Sequence, residues 1–151
     1  MKIHAALLSL TVLVAGCPAK EGEGRGPLAG DYLARSRGLK TSIKRLATGL
    51  EEADKQLESG SPHAGIDPLR PDDLVVLRKA ERFPPQLQKQ LDDLEALSQQ
   101  IESALDELGR LPPNKSPQPV DIDRVRGLVA RGLKEARRLE KELAAFIDRW
   151  S

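Results

Sequence analysis

Apolar residues recur in a strict alternation of four and three positions along three long stretches of the chain, and that rhythm leaves little choice of fold. The first stretch sets Tyr32, Ser36, Leu39, Ile43, Leu46, Leu50, Ala53 and Leu57 on one line. The second carries Leu87, Leu91, Leu94, Ser98, Ile101, Leu105 and Leu108. The third carries Ile122, Val125, Val129, Gly132, Ala136, Leu139, Leu143, Phe146 and Trp150. Such spacing keeps one face of an α-helix turned toward a neighbouring helix over many turns. No stretch shows the period of two that a half-buried strand requires.

Punctuation residues agree with the rhythm. Asp31 stands where a cap for the first helix is needed, and Gly60 where a stop is needed. Pro85 suits the first turn of the second helix, while Gly109, Pro112 and Pro113 end it. Asp121 is predicted to cap the third helix, with Val120 stapling onto Val125 across the first turn. Gly127 and Gly132 each weaken that helix by about 1 kcal/mol relative to Ala, and Gly132, lying on the seam, would permit a close helix approach. Pro71 to Phe83, with Leu74, Val75, Val76, Leu77 and Ala80, reads as a short helix begun by Pro71 or Asp72 and broken at Pro84. All 11 prolines fall in the tether, the connections or the first turns, and none in a predicted helix interior. The expected fold of residues 31–151 is therefore all-α, an antiparallel three-helix bundle with coiled-coil-like seams plus a short extra helix.

Composition fits that expectation: 39% of residues are hydrophobic, enough for a core, and 31% are charged. With 24 Lys and Arg against 23 Asp and Glu, the chain lacks the strong positive charge of a nucleic-acid binder, and no nucleic-acid partner is expected. The balance is uneven along the sequence. The second helix holds Asp92, Asp93, Glu95, Glu102, Asp106 and Glu107 against Lys89, whereas the third helix and the front of the first are basic, so complementary flanks are expected.

The N-terminal region follows a different logic. After Lys2, residues 5–14 form a nearly uninterrupted apolar run, followed by Ala15, Gly16 and Cys17. A run of about 10 residues is too short to span a bilayer, which takes about 20. A basic start, a short apolar middle and small residues before a break fit a secretory signal. An ordinary secretory cleavage near Gly16 and an uncleaved anchor would satisfy that much of the pattern as well. The junction Leu13-Val14-Ala15-Gly16-Cys17 further resembles the lipobox of bacterial lipoproteins, and Cys17 is the chain's 1 cysteine. The resemblance implies that residues 1–16 are a signal peptide and that the Cys17 sulfur receives a diacylglyceryl group. Signal peptidase II would cut between Gly16 and Cys17 and leave an amino group open to further acylation. Two or more acyl chains, each CH₂ contributing about 0.8 kcal/mol, would hold a protein stably to a membrane. By resemblance to Gram-negative lipoprotein sorting, Pro18 rather than Asp after the cysteine implies an outer-membrane location facing the periplasm. Residues 17–30 then form the acylated cysteine and a tether rich in Gly and Pro, with a coil reach of about 20 Å. The resemblance covers the processing segment alone.

Candidate functional residues in the remainder are few. Opposite the third seam, Arg124, Arg131, Lys134, Arg137, Arg138 and Lys141 form a basic stripe that suits anionic lipid headgroups, lipopolysaccharide phosphates or an acidic partner. A solvated helix face would look the same. The apolar seam of that helix could instead lie in a membrane interface, although two matching seams offer it a core. His63, with Asp67, Asp72 and Asp73, supplies metal-binding atom types in the longest connection, but in a spacing that defines no ligand set, as expected of a plain surface loop. No nucleophile motif or phosphate-cradling loop is present in a suitable context. The expectation is a non-enzymatic envelope lipoprotein without cofactor or metal. It would be anchored through Cys17 and act by its helix surfaces on an envelope protein or by self-association. The alternative is an anionic-lipid binder using the stripe.

Overall fold

The computed structural model describes residues 30–61, 65–78 and 83–151. Regular structure among them is entirely helical: α1 (Gly30–Glu58), α2 (Pro71–Arg78), α3 (Pro85–Gly109) and α4 (Pro119–Trp150). Residues 1–29, on which the expected signal peptide, Cys17 and the expected tether fall, lie outside the described residues, as does His63.

Helix ends show which local signals prevailed. Gly60 adopts φ +77°, Gly60 N–H donates to Leu57 O at 3.2 Å and Ser61 N–H to Gln56 O at 2.9 Å. This is the paired hydrogen-bond closure that a left-handed glycine allows after the last helical turn. At the other end of α1 the helix begins at Gly30, so Asp31 lies inside the first turn and is not the cap. That turn still suits a carboxylate, because the N-terminal peptide dipoles present positive charge there. Pro85 opens α3 as expected. α4 starts two residues ahead of the expected cap: Gln118 is the N-cap, without a side-chain hydrogen bond, Pro119 is the first helical residue and Asp121 sits in the first turn. The ring of Pro119 already holds the φ of a helical residue and needs no N–H partner there, so the helix starts at the proline. The expected staple is absent, because Val120 is 71% exposed while Val125 is fully buried.

All three seams face inward. Leu39, Ile43, Leu46, Leu50, Ala53 and Leu57 of α1, Leu91, Leu94, Ile101 and Leu105 of α3, and Val125, Val129, Ala136, Leu139 and Leu143 of α4 belong to one buried cluster. α4 packs most extensively on α1 and also on α3, and α2 touches α1 and α3. Gly132 marks a tight contact of α4 with side chains of both neighbours. A Cβ there would stand 2.6 Å from Ile101 Cδ1 of α3 and 3.3 Å from Leu50 Cδ1 of α1, so α4 is pressed against both helices at one level.

The paired residues also give direction. Along α1, Asp54 meets Arg126, Leu50 meets Gly132 and Glu51 meets Arg137, while Lys44 and Lys141 line one groove. Along α3, Ile101 meets Gly132 and Leu87 shares a groove with Phe146. Numbers fall on α1 and α3 as they rise on α4, so both run opposite to α4 and parallel to each other. Two parallel helices in succession require the connection to travel back along the molecule. It does so in contact with the core: Ile66 packs on Gly49 of α1, and Ile66, Leu69, Leu74, Leu77 and Phe83 are buried. The Leu69 N–H donates to Ser98 Oγ at 3.1 Å, and Ser98 Oγ donates to Glu95 O at 2.8 Å. The connection is thus not a plain surface loop, and one polar seam residue serves to hold it. Ser36, the other polar seam residue, is fully buried with an unpaired hydroxyl, and nothing in the structure accounts for it.

Candidate functional site

The apolar half of α4 is committed to the core, its seam residues Val125, Val129, Leu139 and Leu143 having no exposed surface. What α4 offers to solvent is its polar face. Arg124, Arg131, Lys134, Arg137, Arg138 and Lys141 are all exposed, as their outward heptad positions require.

The structure divides these six. Arg137 forms an ion pair with Glu51 of α1. Arg138 is held between Glu135 at 2.5 Å and Glu142 at 3.7 Å, one helical turn to either side. Arg124, Arg131, Lys134 and Lys141 have no carboxylate partner among the described residues and remain available to an outside anion. A further arginine belongs to the helix contact: Arg126 Nε donates to Asp54 Oδ1 at 3.0 Å, with both side chains about two-fifths exposed, 37% and 40%. This hydrogen bond, then the charge of Asp54, raises the Arg126 pKa above its ordinary value. Both α1–α4 ion pairs thus use carboxylates of the rear half of α1. Complementarity had been expected from acidic α3, where Asp93 pairs with Lys89 at 3.2 Å and Asp106 with Arg110 at 3.6 Å within the local chain.

Two shallow grooves flank the free cations. The α3–α4 groove, about 510 Å³, has Leu94 and Leu97 in its lining, with Gln90, Asp93 and Gln100 facing Arg131, Glu135 and Arg138. The α1–α4 groove, about 350 Å³, is lined by Lys44, Thr48, Glu51, Arg137, Glu140 and Lys141. Carboxylates alternate with cations in both. A surface of this kind can hold an anionic group by charge or mate with a mixed-charge protein face. In the long connection, Asp67 is exposed and lies 3.8 Å from Arg70. No group of three or more His, Cys, Asp or Glu among the described residues is placed to hold a metal ion. Nor is any described helix long and apolar enough to cross a membrane.

Comparison with protein-family models, with curated proteins and with solved structures finds no match to this chain.

Proposed function

We propose that this chain is a lipid-anchored protein of the bacterial cell envelope that works without catalysis, through helix surfaces that engage another envelope protein. Its helical part is read as a three-helix bundle of α1, α3 and α4, with α4 antiparallel to both partners and α2 as the short extra helix beside the α1–α3 side. The observation that carries the anchor is the run Leu13-Val14-Ala15-Gly16-Cys17, in which the 1 cysteine of the chain takes the position the lipobox demands. The division of α4 supports the partner reading: a buried seam, braced arginines, and free cations interleaved with carboxylates. The large apolar side chains exposed among the described residues are Val75 on α2 and Leu111 and Val120 around the α3–α4 connection. They form no continuous seam, which favours a polar interface over self-association through an open heptad face.

Metabolic labelling with palmitate, followed by membrane fractionation, tests the anchor. Wild type is expected to be labelled and sediment with the membranes, the outer one in a Gram-negative host, whereas Cys17→Ser is unlabelled and released. An unlabelled wild type removes the proposal. The second reading, a binder of anionic lipid or lipopolysaccharide, draws on the four free cations Arg124, Arg131, Lys134 and Lys141. It requires the released Cys17→Ser chain to bind anionic vesicles at low salt and to leave them as salt rises.

A further inference from the structure

The chain contains 1 Tyr, 1 Trp and 2 Phe, and all four gather at one end of the molecule. Phe83, just ahead of α3, meets Phe146 with ring centroids 5.2 Å apart, and Phe146 meets Trp150 at 6.5 Å. Tyr32 lies in the first turn of α1, and the opposed numbering of α1 and α4 puts it at the same end of the bundle as Trp150. Tyr32 and Trp150 are packed against the core but only partly buried. Exposed Arg35, Arg37 and Arg149 lie at the same end, and exposed Asp148 adjoins Arg149. This is also the end at which the chain arrives from Cys17, since α1 begins at Gly30.

We infer that this aromatic end is a membrane-contacting surface, whose partner is the headgroup layer of the bilayer that holds the anchor. The inference rests on the lipid-anchor reading above. Only the 12 residues 18–29 separate Cys17 from α1, so on the anchor reading the end of the bundle where they join is kept close to the headgroups. Partly buried Trp and Tyr rings pair an apolar body with a polar edge, the combination favoured at the membrane–water boundary. Arginines around them face the phosphates. The long axis of the bundle then stands away from the bilayer. At 1.5 Å per residue, Arg131 is about 28 Å and Arg124 about 39 Å from Trp150 along α4. Both distances far exceed the screening length of about 8 Å at physiological ionic strength. Arg124 and Arg131 therefore face the aqueous compartment, where a protein partner can reach them and the anchoring headgroups cannot, whereas Lys141, about 14 Å from Trp150 along α4, lies nearest the bilayer of the four.

Trp150 is the only tryptophan and makes the test direct. Full-length acylated protein is reconstituted into phosphatidylethanolamine and phosphatidylglycerol vesicles with either plain or brominated acyl chains. The same preparation is floated on a density gradient. A second preparation carries Lys115→Cys, labelled with a fluorophore, in the connection at the opposite end. The expected result is flotation, severalfold quenching of Trp150 by the brominated chains, and no quenching of the label at 115. Flotation without Trp150 quenching overturns the contact while leaving the anchor in place, and points to a protein covering that end. Quenching at both positions means that the bundle lies flat and overturns the upright arrangement. Failure to float removes the anchor reading and this inference with it.

Discussion

Gly132 and Gly127 are five residues apart on one helix and have opposite effects. At Gly132 the missing side chain is what lets α4 meet Ile101 and Leu50 together, whereas a Cβ at Gly127 would meet nothing within 4 Å. Gly132→Ala is expected to lower stability by about 1 kcal/mol or less, because the terminal methyl groups of Ile101 and Leu50 have to turn aside in a filled core while helix propensity improves. Gly127→Ala should raise it by up to about 1 kcal/mol. Chemical denaturation of both variants measures the contrast, and equal shifts would mean that the close approach does not govern packing. Both glycines were legible as weak points in the helix. Which of them the fold uses was half legible, because only Gly132 lies on the seam. The residue it touches on each neighbour depends on helix register, which spacing within one helix does not fix.

At the scale of elements, the three long helices could be read from the rhythm, and their ends to within three residues, the largest miss being the cap of α4 at Gln118 instead of Asp121. The part that could not be read is the connection. Ile66 and Leu69 are single apolar residues among Gly, Pro and Asp, with no period to mark them, yet both are buried. Their burial follows from the return path between two parallel helices, a property of topology that local pattern does not carry. Ser98 joins this segment to α3, so Ser98→Ala is expected to leave the Leu69 N–H without its partner and cost about 1–3 kcal/mol. Ser36→Ala removes an unpaired buried hydroxyl and should leave stability unchanged or raise it. Thermal melting of the two variants checks the pair, and an unchanged melting temperature for Ser98→Ala would show that the connection is not held in this way. The basic stripe has the same split. Exposure of all six cations followed from heptad position, but the ion pair of Arg137 with Glu51 joins residues far apart in sequence and depends on which helix lies alongside.

For the molecule as a whole, direction matters more than the number of helices. α1 starts and α4 finishes at the aromatic end, while the α3–α4 connection, exposed from Leu111 to Ser116, lies at the other. Neighbouring packed helices sit about 8–10 Å apart, so Gly30 and Ser151 are within reach of a short linker. The order in which the helices occur along the polypeptide is therefore separable from the way they pack. Ser151 joined to Gly30 through about six flexible residues, with the chain opened between Asn114 and Lys115, gives a circular permutant. It is expected to melt cooperatively within a few degrees of the parent, and a non-cooperative melt would argue against the parallel placement of α1 and α3. Because such a chain would begin and end at the pole farthest from the aromatic rings, it would display grafted peptides there without disturbing the four helices beneath.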